Sequence, residues 1–242
     1  MENCVKFGLI GKNISYSFSK KYFEQKFQKL LLNNHSYEIF DLPNLENITT
    51  LFKTENLKGL NVTIPYKEQI IPFLDELSDE AKEIGAVNCI LFKEGKTKGF
   101  NTDAFGFEKT LLLHKKPHHQ SALILGNGGA AKAVKFVLEK NNIPYITVAR
   151  NSEINFENLT ENLVKESLLI IQCTPVGTFP NVEESLPFPY KYIAENHLII
   201  DLIYNPEYTK FIKNCAENGA KTVNGFYMLE QQAEKAWEIW NT

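Results

Sequence analysis

Residues 122–150 read ALILGNGGAAKAVKFVLEKNNIPYITVAR, and this stretch decides the fold. An apolar strand leads into a turn in which Gly126, Gly128 and Ala131 follow the spacing G-x-G-x-x-A, and a helical segment and a second strand at 145–150 come after it. In such a turn the first glycine permits the tight bend, the second lets the backbone approach a pyrophosphate, and the small third residue lets the helix pack on the strand. The strand–helix–strand context therefore favours a Rossmann-like dinucleotide-binding unit over an ordinary tight turn that needs glycine for its backbone angles alone.

The second strand of this unit ends at Arg150. An acidic residue at that point would bind the ribose 2′-hydroxyl of NAD, whereas an arginine suits the 2′-phosphate of NADP. Arg150 therefore favours NADP, while Glu153 nearby would oppose a phosphate and an ordinary exposed arginine is the alternative interpretation.

Strand-like and helix-like runs alternate for most of the chain, a pattern typical of α/β proteins with largely parallel sheets. The predicted strands span residues 5–11, 37–42, 57–64, 122–126, 145–150, 168–174 and 197–204. The predicted helices span residues 19–32, 68–85, 104–114 and 225–240. In the second of these, Pro72 must fall in a first turn or interrupt the helix. Residues 86–103 have the pattern of a hairpin that turns at Glu94-Gly95-Lys96.

Composition and charge limit the classes of partner. The chain has 242 residues, of which 43% are hydrophobic and 23% charged, and its formal net charge is −3. Because nucleic acids and anionic membrane surfaces are bound by basic faces, we expect neither as a partner. No apolar run approaches the ~20 residues of a membrane span, and the N-terminus lacks the apolar core of a signal peptide.

The cysteines indicate a reducing compartment. Cys4, Cys89, Cys173 and Cys215 are isolated and show no CxxC or Cys/His ligand spacing. This pattern predicts reduced thiols in a cytoplasmic protein and no metal site.

Polar side chains follow several predicted strands in the first half of the chain. They are Ser15, Ser17, Ser19, Asn61, Thr63, Lys67, Asn88, Asn101, Thr102 and Asp103. Singly, each has an ordinary explanation: Ser19 is a good helix N-cap, Asn and Asp favour turns, and Lys67 suits a solvent-facing helix. In NVTIPYKE, residues 61–68, Pro65 turns the chain out of the strand, so Lys67 equally suits a proton donor at the mouth of a pocket.

Taken together, these motifs resemble the ordered motif set of the shikimate dehydrogenase family from about residue 7 to residue 235. The motifs that carry the resemblance are GLIGKNISYSFS, GLNVTIPYKE, GAVNCI, GFNTDAFGF, LGNGGAA, IIDLIYNP and NGFYMLEQQA. The resemblance implies an NADPH-dependent oxidoreductase that reduces 3-dehydroshikimate to shikimate, on the route to chorismate and the aromatic amino acids.

The resemblance also implies roles for individual residues. Lys67 and Asp103 match the catalytic pair, and Ser17 and Ser19 match the serines that hold the substrate carboxylate. Further substrate contacts are implied at Thr63, Asn88, Asp103, Tyr204 and Gln232. Cofactor contacts are implied at Gly126, Asn127, Gly128, Gly129, Ala130, Arg150, Asp79, Leu202 and Gly225.

We therefore predict an α/β fold with two domains and a cleft between them. A substrate-binding and catalytic domain with a mostly parallel sheet spans residues 1–103 and is joined by the C-terminal helix at 225–242. A Rossmann-like NADP-binding domain spans residues 104–224. The reaction would need a proton for the developing alkoxide, which Lys67 supplies as a general acid while Asp103 orients it. We expect a monomer or a homodimer.

Two alternatives stay open at this point. A relative that acts on quinate or uses NAD would differ in pocket details near Ser15, Tyr16 and Tyr204. A nucleotide-binding regulatory module would keep the fold without catalysis, although it would have no reason to retain a proton donor.

Overall fold

The structure, a computed structural model, describes residues 4–14 and 17–242. It divides into two compact units, Met1–Thr102 with Ala233–Thr242, and Asp103–Gln232. The predicted domain bounds, which place residues 225–242 with the first domain, stay a prediction.

The first unit contains a sheet of six strands among its described residues, in the order β2-β1-β3-β5-β6-β4. Its elements are β1 Val5–Gly11, α1 Phe18–Lys29, β2 His35–Asp41, α2 Ile48–Leu51, β3 Leu57–Val62, α3 Tyr66–Gln69, β4 Glu76–Leu77, α4 Asp79–Ile84, β5 Cys89–Lys93 and β6 Lys96–Phe100. The pairs β1–β2, β1–β3 and β4–β6 are parallel, whereas β3–β5 and β5–β6 are antiparallel. The sheet is therefore mixed, because the predicted hairpin at 94–96 is inserted into it.

Both faces of this sheet are covered by apolar side chains. Phe23 and Phe27 of α1 pack on one face with Phe7. Trp240, near the C-terminus, lies on the same face, and its indole Nε1 donates to the Ile90 carbonyl at 3.0 Å. On the other face, the largest buried side chains include Leu60 and Ile70.

Two local predictions in this unit were wrong. Ser17, not Ser19, is the N-cap of α1: its hydroxyl accepts from the Ser19 backbone N–H at 3.2 Å. The predicted helix at 68–85 is broken into α3, a 3₁₀ turn at Ile71–Phe73, β4 and α4. Pro72 cannot donate a backbone hydrogen bond, and the chain after it becomes extended so that β4 pairs with β6.

The second unit contains a parallel sheet of five strands, in the order β11-β10-β9-β7-β8. Its elements, starting with the helix that begins at Thr102, are α5 Thr102–His114, β7 Ala122–Leu125, α6 Gly129–Lys140, β8 Tyr145–Val148, α7 Glu161–Glu166, β9 Leu169–Gln172, β10 Leu198–Asp201, α8 Lys210–Glu217, β11 Lys221–Val223 and the first part of α9 Phe226–Trp240. From Ala233 onward, α9 belongs to the first unit. Strands β7, β9 and β10 are buried along their whole length, as their apolar sequences predict.

The predicted strands at 168–174 and 197–204 end earlier than expected, at Gln172 and Asp201. The residues after these ends are therefore loops at the carboxyl edge of the sheet. Helix α8 and strand β11 had not been predicted.

Within the described ranges, no helix combines the length and apolar character needed to cross a membrane. The same ranges hold no group of three or more His, Cys, Asp or Glu side chains that could bind a metal ion.

Candidate active site

Lys67 lies on α3, just beyond the end of β3. The strand ends at Val62, Thr63 donates its backbone N–H to the Ile10 carbonyl at 2.8 Å, and Pro65 immediately precedes α3. The Lys67 carbonyl accepts from the Val87 N–H at 2.8 Å. Backbone hydrogen bonds therefore fix the chain at Thr63 and at Lys67. The half-buried Lys67 side chain lies just beyond the carboxyl end of β3.

The segment 86–88 also anchors the residues that precede Asp103. Asn101 Nδ2 donates to the Ala86 carbonyl at 2.9 Å. Asn88 Oδ1 accepts from the Thr102 N–H at 2.6 Å, and Asn88 Nδ2 donates to Thr102 Oγ1 at 3.0 Å. Two stretches that are far apart in sequence, at Lys67 and at 101–102, therefore bond the same short segment, and each contains or leads to a predicted catalytic residue.

Ser17 and Ser19 begin α1 after the loop that follows β1. A residue that had not been predicted, Asp41 at the end of β2, holds that loop: its carboxylate accepts from the backbone N–H groups of Asn13 at 2.8 Å and Ile14 at 3.1 Å. Ser15 and Tyr16, which had been considered for selectivity, lie outside the described residues.

The glycine turn after β7 has the geometry that an anionic cofactor needs. Gly126 has a φ of +110°, and an added Cβ would lie 2.9 Å from Thr174 Cγ2. Gly128 is the N-cap of α6, and within the described chain an added Cβ there would meet nothing within 4 Å. The N-cap of this twelve-residue helix makes no side-chain capping hydrogen bond, so no side chain at that position occupies its first N–H groups. The turn fits a pyrophosphate, which helix N-termini bind through N–H groups and dipole.

The other residues of the predicted turn lie at the start of α6, and Arg150 follows the neighbouring strand β8. Asn127 accepts a hydrogen bond from Lys135 Nζ at 2.7 Å, and Gly129 and Ala130 form the first turn of α6. Gly126 donates its N–H to the Val148 carbonyl at 2.8 Å. Arg150 follows Val148 by two residues and is exposed, so it stands at the same sheet edge as the turn.

Leu202 and Tyr204 follow β10 on a loop that Asp201 holds. The buried Asp201 carboxylate accepts from the Ile203 N–H at 3.0 Å and from Thr209 Oγ1 at 2.7 Å. Burial raises the pKa of this carboxyl to about 6. Gly225 donates to the Ile203 carbonyl at 2.9 Å.

Gly225 is required for close approach rather than for a special backbone angle. A Cβ at this position would lie 2.1 Å from the Leu202 carbonyl oxygen. The loop that carries Leu202 and Tyr204 is therefore clamped between Asp201 and Gly225. Asp201 was missed by sequence reasoning, and the available signal was an acidic residue at the end of an apolar strand.

Gln232 lies against α5, within the second unit. A Cβ on Gly106 would be 3.2 Å from the Gln232 Cβ, which shows how closely α9 approaches the first turns of α5. Asp103 belongs to the same helix, one turn before Gly106. Asp79 begins α4, is exposed and pairs with Lys82 at 3.3 Å, and a contact of Asp79 with cofactor stays a prediction.

Comparison with known proteins bears directly on this site. A family model described as the shikimate dehydrogenase substrate binding domain matches residues 9–90. The shikimate dehydrogenase (NADP(+)) of Methanosphaera stadtmanae is 38% identical over 254 residues, covering 96% of this chain and 89% of that relative. The chain belongs to the shikimate dehydrogenase family.

Solved structures of shikimate dehydrogenases share the fold. The enzyme from Aquifex aeolicus has a TM-score of 0.88 and 35% sequence identity, covering 100% of this chain and 94% of that one. The enzyme from Thermus thermophilus, in complex with NADP(H) and shikimate, has a TM-score of 0.86 and 31% identity, covering 98% and 93%. The predicted family and the α/β fold with a Rossmann-like unit are confirmed, while the roles of individual site residues stay predictions.

Proposed function

We propose that this member of the shikimate dehydrogenase family catalyses the reversible, NADPH-dependent reduction of 3-dehydroshikimate to shikimate. The Thermus thermophilus relative, whose structure holds NADP(H) and shikimate, supports this substrate and cofactor. The observation that carries the proposal is the segment 86–88, which binds the backbone of Lys67 and the residues leading to Asp103. The enzyme is then an NADP-dependent oxidoreductase acting on a CH–OH group, in the synthesis of chorismate and the aromatic amino acids.

The substrate would be held through its polar groups. The hydroxyls of Ser17 and Ser19 suit its carboxylate, because they are half-buried at the start of a helix. The ring hydroxyls suit a set of neutral and acidic side chains, which can each accept or donate in a defined direction. We assign this set to Thr63, Asn88, Asp103, Tyr204 and Gln232.

The cofactor would be held by the second unit. The N–H groups at Gly128, Gly129 and Ala130 suit its pyrophosphate, and the Arg150 guanidinium suits a 2′-phosphate. The backbone at Leu202 and Gly225 lines the same carboxyl edge of the sheet. When bound, the reduced nicotinamide supplies the hydride for the carbonyl carbon.

Lys67 would supply the proton that completes the reduction. Its ammonium donates from Nζ to the oxygen that gains charge as the carbonyl is reduced, and in the reverse direction the amine takes the proton back. The Asp103 carboxylate would orient the ammonium and a substrate hydroxyl. Removal of either group should therefore slow the chemical step more than it weakens binding.

We also propose that the protein works in the cytoplasm as a monomer or a homodimer. The cysteines support a reducing compartment, because Cys4, Cys89, Cys173 and Cys215 are all free thiols.

A spectrophotometric assay tests the proposed activity. Purified protein would receive shikimate or quinate, each with NADP or NAD, and the absorbance of reduced nicotinamide would be followed. We expect the fastest turnover with shikimate and NADP, because Arg150 suits the 2′-phosphate. Faster turnover with quinate or NAD would contradict the assignment of substrate or cofactor. No change in absorbance in any of the four mixtures, from folded protein that still binds NADP, would contradict the proposed enzymatic activity and favour a regulatory module.

A further inference from the structure

A chain of buried hydrogen bonds runs beneath the predicted substrate residues of the first unit. Tyr37 on β2 is 1% exposed, and its hydroxyl donates to Asn61 Oδ1 at 2.8 Å. Asn61 on β3 is 5% exposed, and its Nδ2 donates to the Asn88 carbonyl at 3.3 Å. Neither Tyr37 nor Asn61 is among the residues assigned above to substrate or cofactor.

This series of hydrogen bonds runs from Tyr37 to Asn88, which is a predicted substrate residue. Burial raises the pKa of the Tyr37 phenol well above its ordinary value, and a hydrogen bond with the Ser19 side chain acts in the opposite direction. At the other end, the Asn88 side chain is bonded to Thr102. Tyr37 therefore connects α1, whose Phe23 stacks on its ring, with the segment that carries Asn88.

The direction of the bonds is determined by the groups present. A phenol has one proton, and Asn61 Oδ1 receives it. The opposite orientation of the Asn61 amide would place its oxygen against the Asn88 carbonyl, so that two acceptors would face each other. The Asn88 carbonyl, which can only accept, therefore selects the orientation in which Asn61 Nδ2 donates to it and Asn61 Oδ1 accepts from Tyr37.

The ring of Tyr37 is held independently of its hydroxyl. It stacks on Phe23 with a centroid distance of 4.6 Å and an interplanar angle of 9°. Trp240 approaches it with a centroid distance of 6.5 Å. Removing the hydroxyl alone should therefore leave the apolar core in place.

We propose that Tyr37 and Asn61 are positioning residues for the substrate, which hold Asn88 in the place where it contacts shikimate. This inference rests on the proposed function, because Asn88 is one of its substrate contacts. It adds two residues that touch no substrate atom but determine where the contacting groups stand.

The test compares two tyrosine-to-phenylalanine variants. Tyr37→Phe removes the hydroxyl that bonds Asn61. Tyr190→Phe, in the second unit, is the matched control: its half-buried hydroxyl bonds Ser185 Oγ at 2.7 Å and the Leu186 carbonyl at 3.1 Å, and it belongs to neither predicted site. Isothermal titration calorimetry would give the Kd for shikimate, the assay would give KM for shikimate and for NADP, and thermal melting would report folding.

Both variants should melt at a lower temperature, since each loses a partly or fully buried hydrogen bond. Only Tyr37→Phe should weaken shikimate binding, by about five-fold, the effect of one hydrogen bond between neutral groups. Its KM for NADP should stay unchanged. An unchanged Kd for shikimate in Tyr37→Phe, with both variants less stable, would reduce Tyr37 to a structural residue and overturn the inference.

A second variant keeps the inference testable if Tyr37→Phe fails to fold. Asn61→Asp retains the acceptor for Tyr37 but faces the Asn88 carbonyl with an oxygen instead of a donor. Its shikimate affinity should fall further than that of Tyr37→Phe, and wild-type affinity would overturn the inference. A wild-type protein that neither binds nor oxidises shikimate would instead overturn the proposed function itself.

Discussion

In the first unit, the predicted substrate and catalytic groups are side chains at strand ends, and other side chains hold them. Thr102 bonds the Asn88 side chain, and Tyr37 together with the Asn88 carbonyl bonds the Asn61 side chain. In the second unit, the predicted cofactor groups are mainly backbone N–H groups, and glycines hold them. Gly126 makes the turn and Gly225 lets a loop approach the Leu202 carbonyl.

This difference determines whether a substitution in each unit can lower ligand affinity without also affecting the fold. A side-chain hydrogen bond can be removed one atom at a time, so a variant of the first unit can lose affinity while its fold survives. The backbone N–H groups of a turn cannot be removed one at a time by changing a side chain. A methyl group added to a glycine of the turn either strains the backbone or enters the space that the ligand needs.

Asp201 is the exception in the second unit. It is a buried side chain that holds the loop carrying the predicted residues Leu202 and Tyr204. Because burial raises the pKa of its carboxyl to about 6, its contribution to stability depends on pH near neutrality.

The largest effect should come from Lys67→Ala. Loss of the proposed general acid should lower kcat by about 10²–10⁴-fold while the Kd for shikimate changes little. Steady-state kinetics and calorimetry measure the two quantities separately. Lys58→Ala, an exposed lysine on β3, is the control and should keep wild-type kinetics. Near-normal turnover in Lys67→Ala would show that another group donates the proton. The strand ends of the first unit would then not supply the general acid.

The next largest effect concerns the pH dependence of stability in Asp201→Asn. Burial raises the pKa of Asp201 from its ordinary value of 3.8 to about 6 in the folded protein. The folded state therefore binds this proton more tightly, and the stability that Asp201 contributes is present below pH 3.8 and is lost as the pH rises through about 6. The difference corresponds to roughly 3 kcal/mol. Relative to Asp201→Asn, the wild-type free energy of unfolding should fall by up to this amount across that interval.

Asp75→Asn, in the first unit, is the control with the opposite sign. The backbone N–H and hydroxyl of Thr97 donate to the Asp75 carboxylate at 2.7 and 2.8 Å and lower its pKa. Its contribution should be present above its ordinary pKa and be lost as the pH falls. Denaturant unfolding at several pH values measures both variants. Equal pH slopes for wild-type protein and Asp201→Asn would contradict the burial of an ionisable Asp201.

The smallest effect separates two glycines of the same turn. Gly126→Ala must adopt a φ of +110° beside Thr174, so it should lower the free energy of unfolding by roughly 1–3 kcal/mol. Gly128→Ala meets no described atom within 4 Å and should fold normally, yet its Cβ would enter the space proposed for the pyrophosphate. Its Kd for NADP should rise by about ten-fold, or roughly 1.4 kcal/mol. If Gly128→Ala binds NADP with wild-type affinity, the cofactor does not bind at this turn.

Local signals explain which parts of the fold could be predicted. The glycine turn at 126–131 and the hairpin turn at 94–96 depend on backbone angles within a few residues, and both were predicted. The helix predicted at 68–85 was wrong because two of its residues, Glu76 and Leu77, pair with β6. That pairing is a tertiary contact which no local pattern reports.

The candidate site divides in the same way. Family motifs identify Lys67, Asn88 and Asp103 as candidate site residues, because the motifs can be read directly from the sequence. Tyr37 and Asp41, which hold other residues, carry no local signature, because each bonds residues that are distant in the chain. Asp201 offered one signal, an acidic residue at the end of an apolar strand, but that signal does not say which loop it holds.

The sequence by itself determined the family, the α/β class and the chemical types at the site, because alternating apolar runs and short turn motifs depend only on neighbouring residues. Only the tertiary structure decided which side chain orients which functional group. Hydrogen bonds such as Tyr37 to Asn61 join residues 24 positions apart. Their direction follows from which donor and which acceptor the packed strands bring within reach.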